Sequence, residues 1–160
     1  MTGIVTPAAQ VTWLAALRGR YVAVRSVLGR LPFSLIQLAM RIAVGLVFFN
    51  SGLLKARSFE FAVKLFEAEY RLPLLAPELA ARLAMSVEIV VPLFLFAGLA
   101  TRLATLPLLG MVAVIQVLVY PQAWVEHLLW TSVLLVLLTR GAGVLSLDHL
   151  IERLAQVYDA

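Results

Sequence analysis

Residues 34–54 read SLIQLAMRIAVGLVFFNSGLL, and this run decides the fold. A helix of about 20 apolar residues crosses a hydrocarbon core of about 30 Å, and in lipid its backbone groups find partners only within the helix itself. The run has that length, carries Arg41 as its one charge, and is continuous where a barrel strand would alternate. Pro32 stands just before it, where a helix start tolerates proline, and Lys55 closes it.

Working outward, three more such runs follow. One extends from about Glu78 to Leu99, with Pro77 at its start and Gly98 near its end; the next, about Leu103 to Tyr120, is closed by Pro121; the last runs from about Ala123 to Thr139, before Gly141 and Gly143. The pattern predicts an all-α integral membrane four-helix bundle, with spans at about 34–54, 78–99, 103–120 and 123–139, the last two standing steeply because they are short. Composition agrees. At 62% hydrophobic and 14% charged, and with a mean hydropathy of +0.98, 160 residues cannot enclose their apolar surface as a water-soluble domain.

The flanking segments divide the chain into residues 1–33, 34–140 and 141–160. Residues 1–10 read as a loose tail. From Leu14, the residues Leu14, Leu17, Tyr21, Val24 and Leu28 recur at spacings of three and four, which predicts an amphipathic interfacial helix with Arg18, Arg20 and Arg25 beside its apolar face. Between the first two spans, Phe59, Ala62, Val63, Phe66 and Tyr70 fall on one face of a short helix that Ser58 is placed to cap. It is expected on the outer membrane surface or folded over the bundle mouth, before Leu72–Pro77 turns the chain back. Residues 141–160 are expected to be a cytoplasmic segment.

Orientation follows from the short-loop bases. With both termini cytoplasmic, the inside holds Arg18, Arg20, Arg25, Arg30, Arg102, Arg140 and Arg153, and the outside holds Lys55, Arg57, Lys64, Arg71 and Arg82 among the acids Glu60, Glu67, Glu69 and Glu78. The expected location is the inner (cytoplasmic) membrane. The net charge of +4 then reflects topology and contact with the lipid bilayer, not nucleic acid. No cleavable signal is visible, since Arg41 lies inside the first apolar run and no small-residue cleavage pattern follows.

The chain has no cysteine, which excludes thiolate nucleophiles, dithiol exchange and iron–sulfur ligation by this chain alone. Its two histidines, with His149 outside the spans, argue against a haem held between helices. What remains are polar groups at membrane depth, where an ionisable side chain costs about 2.5 to 3.5 kcal/mol and normally faces the bundle or water. Arg41 lies in the first span with Gln37 one turn before it. Glu88 lies mid-span, four residues before Pro92, which frees the Glu88 carbonyl and suggests a bend beside a cavity. Asn50, Lys55, Tyr120, Glu126, His127 and Trp130 share the outer third. Arg41, Asn50, Lys55, Glu88, Tyr120, Glu126, His127 and Trp130 are therefore the candidate ligand or quinone contacts, and no catalytic residue is assigned. Gly45 and Gly52 nearly share a face, while Gly110 and Ala113 are expected to allow close approach on the third span.

The order Arg41, Gly45, Phe48, Ser51-Gly52, Lys55, then Glu88, Gly98, Thr101-Arg102, and finally Gly141, Gly143 and Ser146-Leu147-Asp148 resembles the DoxX family of small four-span membrane proteins, over about residues 35–150. The resemblance implies association with membrane redox and oxidative-stress assemblies, since the family is named for a small subunit of quinol oxidase and thiosulfate:quinone oxidoreductase preparations. The tracts Leu65-Phe66-Glu67-Ala68-Glu69-Tyr70 and Val119-Tyr120-Pro121-Gln122-Ala123-Trp124 are similar to a bacterial DoxX subgroup encoded beside copper-responsive secreted peptides and their modifying enzymes.

Three functions compete on these grounds. The first is an accessory or quinone-associated subunit of a membrane redox or stress-response assembly, non-catalytic by itself, with quinone the one cofactor suggested and a protein partner or homo-oligomer expected. The second is an accessory protein of a copper or other metal-stress system, with Glu126 and His127 as ligands. Neighbouring residues on a helix point about 100° apart, so those two reach one ion only with bending or a further donor. The third is a small transporter or channel, against which stand the single mid-span carboxylate and the lack of an inverted repeat or ring of like charges.

Overall fold

The structure, a computed structural model, describes residues 7–158. Their regular structure is all helical, with no strand among the described residues, and they fall into two units divided between Phe33 and Ser34. The first unit is a single helix, α1 (Pro7–Leu28). The helix begins at Pro7, so residues 7–10 are not a tail; residues 1–6 lie outside the described residues, as do the side chains of Leu14 and Leu28. Leu17, Tyr21 and Val24 are exposed, with no other part of their unit to cover them.

The second unit contains α2 (Phe33–Arg57), α3 (Phe59–Leu65), α4 (Pro77–Ala97), α5 (Thr101–Val114), α6 (Trp124–Arg140) and α7 (Leu147–Tyr158). Two of them end in π-helical turns: α3 continues through Phe66–Tyr70, and α5 through Ile115–Val119. Three helical stretches, Phe33–Arg57, Pro77–Ala97 and Thr101–Val119, are long and apolar enough to cross a membrane. Their expected bounds differ from the observed ones by a few residues at most.

One core joins α2, α4, α5 and α6. Val44 and Phe48 meet Leu95, Leu108, Val112, Leu134 and Leu137, all buried. The glycines of α2 set its distance from α4: a Cβ on Gly45 would lie 2.5 Å from the Phe96 ring, and one on Gly52 would lie 2.8 Å from Ile89 and 2.9 Å from the Glu88 Cβ. Gly110 behaves differently. It is exposed, as is Ala113, and a Cβ on it meets nothing within 4 Å, so the expected close approach on α5 is not made within this chain.

At the end of the bundle holding the α4–α5 turn, polar groups act as fasteners. Gly98, at φ 65°, closes α4 with paired bonds from Gly98 N to Leu95 O and from Leu99 N to Phe94 O, satisfying carbonyls that a helix end leaves open. The Asp148 carboxylate accepts from the N–H groups of Ala100 and Thr101 at the start of α5, and Asp148 N donates to Gly98 O. Residues 141–158 are therefore tied to the bundle, and they end in α7, a helix that the sequence reading left unassigned.

At the opposite end, α3 and its π turn pack on the first turns of α4 through Ala62, Phe66, Ala80 and Ala81. Ser58 occupies the cap position, yet its side chain makes no capping bond. Arg71, at φ 42°, ends the π turn by donating its N–H to Phe66 O.

Candidate functional site

Glu88 stands in the middle of α4, where an unpaired carboxylate would be costly. Lys55 answers it. From near the end of α2 its side chain reaches back into the bundle, and Nζ donates to Glu88 Oε2 at 2.7 Å, Oε1 at 2.9 Å and Ser51 Oγ at 2.9 Å. Ser51, one helical turn before Lys55, donates in turn to Glu88 Oε1 at 3.3 Å. All three ammonium protons and the serine hydroxyl are thus spent inside the cluster, which leaves carboxylate lone pairs as its spare capacity.

This cluster forms one wall of a cavity of about 480 Å³, within the range of small-molecule sites. Apolar side chains from α2, α4 and α5 supply most of the remaining surface, among them Phe48, Val87 and Met111, while Trp130 and His127 line it from α6. Phe48 and Trp130 meet edge to face with ring centres 5.9 Å apart. The short helix was expected on the outer membrane surface or over the bundle mouth; the π turn that continues it and the loop beyond supply Phe66, Tyr70 and Leu72 to the same cavity.

His127 is buried, and its orientation is fixed from α5. Gln116 Nε2 donates to Pro121 O at 2.9 Å, which turns Gln116 Oε1 toward His127 Nδ1 at 2.7 Å. Nδ1 therefore carries the proton of the neutral ring, and Nε2 keeps a free lone pair. At the mouth, Tyr120 Oη donates to Glu69 Oε1, and the Tyr70 and Tyr120 rings meet edge to face at 5.9 Å. Burial pushes the Tyr70 phenol above the usual tyrosine range, so it stays a neutral hydroxyl. The arrangement can seat a polar head against lone pairs on Glu88 and His127, between aromatic rings, with hydrocarbon around the rest.

Of the residues singled out in the sequence, Lys55, Glu88, Tyr120, Glu126, His127 and Trp130 line this one cavity. Glu126 is exposed at its edge. Asn50 is exposed and lines no part of it, because it lies on the side of α2 away from Phe48 and Ser51. Arg41 is fully buried near the α4–α5 turn, where Nη1 donates to Leu95 O at 3.2 Å and Nη2 to Leu145 O at 2.5 Å. It fastens two backbone segments and does not reach the cavity. Among the described residues no three His, Cys, Asp or Glu side chains gather to hold a metal ion, so Glu126 and His127 find no third ligand of those kinds. Ser51, Gln116 and Tyr70 were missed. The spacing of Ser51 and Lys55, four residues apart on one helix face, was the available signal for the first.

The DoxX family matches residues 36–121, from the first turn of α2 to Pro121. The chain belongs to the DoxX family. With three helices apolar enough to cross a bilayer, this DoxX chain is a membrane protein. The matched stretch includes Ser51, Lys55, Glu88, Gln116 and Tyr120, while His127 and Trp130 lie beyond it. Comparison with curated proteins and with solved structures gives no match.

Proposed function

We propose that this DoxX protein holds a quinone-class headgroup in the cavity and serves a membrane redox or stress-response assembly as an accessory, quinone-associated subunit. In this reading α6 is the fourth span of a four-helix bundle in the inner membrane, both termini are cytoplasmic, α1 lies along the inner surface, and the α3 cover faces outward. A protein partner or second copy completes the assembly. The observation that carries the proposal is that Glu88, held by Lys55 and Ser51, and His127, held by Gln116, line one largely apolar cavity.

The chemistry of the donor set suits such a head. A quinol presents two hydroxyl donors, and the lone pairs of Glu88 and of His127 Nε2 accept them; a protonated His127 would instead donate to a quinone carbonyl. Trp130 and Phe48 offer ring surfaces beside it. Quinone supplies the electron-carrying chemistry when bound, and the protein's own part is to seat the head, exclude water and hold a proton at His127.

The test is purification in mild detergent with native lipid, followed by solvent extraction and mass spectrometry of the bound small molecules. Near-stoichiometric quinone in the parent protein, reduced severalfold in both His127→Ala and Glu88→Gln at equal folded yield, is the expected result. Quinone at the level of bulk membrane lipid in the parent and in both variants would overturn it.

A further inference from the structure

We infer that the cavity opens sideways into the bilayer between α4 and α5, and that its ligand is an amphiphile whose single hydrocarbon tail leaves through that gap. The inference rests on the headgroup reading above and adds the shape of the ligand and its route. On α4 the cavity is lined by Leu83 and Val87, one turn apart, and on α5 by Pro107, Gly110 and Val114 at spacings of three and four. Leu83 and Val114 are also 49% and 42% exposed, and Pro107 and Gly110 are exposed with them. Residues that line a cavity and also face outward mark its opening, and both of these helices are apolar enough to be membrane spans, so the opening faces lipid.

Val47, Leu75 and Glu126 also line the cavity and are exposed, but each stands singly on its segment, whereas on α5 the three lining positions Pro107, Gly110 and Val114 face outward. Phe66, Tyr70 and Leu72 stand over the end of the bundle, with Tyr120 bonded to Glu69 across that cover. Between α2 and α6, the Phe48 and Trp130 rings are in edge contact, and Phe48 is buried. Between α4 and α5 the sequence thins the wall: Gly110 has no side chain, and a Cβ there meets nothing within 4 Å. Each helix also carries an internal proline, Pro92 and Pro107, a little under two turns from the Gly98–Ala100 turn that joins them. A proline removes one N–H from the helix ladder and bends the helix, which favours separation of the pair beyond the turn.

A polar head against Glu88 and His127 therefore directs its tail past Gly110 into the acyl chains, where it remains in hydrocarbon and needs no pocket of its own. A water-soluble ligand gains nothing from such an opening. A single isoprenoid tail on a quinone has the matching form: a flat polar head and one narrow chain.

The experiment compares the parent protein with Gly110→Leu and Val114→Phe, both at exposed positions, in nanodiscs. Quenching of tryptophan fluorescence reports binding of a tailless benzoquinone and of the same head with a long isoprenoid tail. Each variant is expected to weaken the tailed compound by roughly tenfold, the effect of losing about two buried methylenes, and to leave the tailless one within twofold of the parent. Comparing variant with parent for the same compound cancels partitioning into the bilayer. If the parent binds both compounds and neither variant separates them, the gap is not the route, and the headgroup site stands. If the parent binds neither, the headgroup reading fails and this inference falls with it.

Discussion

Lys55 Nζ lies 2.7 Å from Glu88 Oε2, with side chains only 11% and 5% exposed, so an ion pair links α2 to the middle of α4 inside the bundle. A lysine near a span end commonly extends outward to headgroups. Here it turns inward, because Glu88 needs a counter-charge and Gly52 lets the two helices approach closely enough to provide one. Packing and electrostatics thus fix the same relationship, and that relationship shapes the cavity wall.

Removing either partner leaves the other charge buried alone. Lys55→Met and Glu88→Leu are each expected to lower stability by about 3–5 kcal/mol, while the double variant should recover most of that loss, since a buried pair replaced by apolar groups is often neutral. Unfolding of the detergent-solubilised protein, followed by helical circular dichroism, measures it. A double variant as unstable as the sum of the singles would show that the pair does not act as a unit.

Among the described residues one side-chain hydrogen bond, from Tyr120 to Glu69, fastens the cover at the end of α5, while Arg82 of α4 stands 5.1 Å from the Phe59 ring. Tyr120→Phe removes the bond to Glu69, and amide exchange across residues 59–70 is expected to quicken by roughly two- to tenfold, the effect of one hydrogen bond of about 0.5–1.5 kcal/mol. Exchange in α5 near Leu108 should not change, because that residue lies in the separate core shared with α2, α4 and α6. Uniform quickening across both regions would mean that Tyr120 supports the whole bundle.

The membrane class and the positions of three apolar helices were legible because apolar run length is a local property of sequence. Position along the helices was legible too: Lys55, Glu88, Tyr120, His127 and Trp130, grouped in the sequence by depth, line one cavity. Azimuth around a helix was harder to read: Asn50 shares a depth with Ser51 but points away. Arg41 has two satisfactory environments in principle, headgroups or backbone carbonyls, and only the fold selects the carbonyls of Leu95 and Leu145. Of the two tracts that suggested a DoxX subgroup, one contains the π turn Phe66–Tyr70 and the other begins at Val119, where the second π turn ends; their Glu69 and Tyr120 meet across the cavity mouth, a contact between distant segments that spacing cannot reveal.

Because Arg41 reaches two carbonyls with separate nitrogens, charge alone should not replace it. Arg41→Lys is expected to destabilise the protein by about 1.5–3 kcal/mol, nearly as much as Arg41→Met, since an ammonium is a single point on a flexible stem where the guanidinium is a rigid fork. Quinone retention per folded molecule should be unchanged, because Arg41 stands apart from the cavity. Comparing unfolding with extracted quinone in the same preparations separates the two effects. Stability restored in full by lysine would show that the second bond contributes nothing.

Ala100 adopts φ 46°, a left-handed conformation that disfavours any residue with a Cβ, and it does so at the start of α5 where Asp148 accepts from its N–H. The bonds to Asp148 offset that strain, so the two positions should respond in opposite directions. Ala100→Gly is expected to stabilise the fold by roughly 0.5–1 kcal/mol by relieving the strain, although glycine loses more freedom on folding. Asp148→Ala should cost about 1–2 kcal/mol by leaving two helix-start N–H groups without their acceptor. In the Asp148→Ala background residue 100 keeps its bond to Ala104 N but is free to relax from the left-handed conformation, so glycine there should give a smaller gain than in the parent. Unfolding of the four proteins in one detergent measures the coupling, and equal gains in both backgrounds would show that strain and cap are independent.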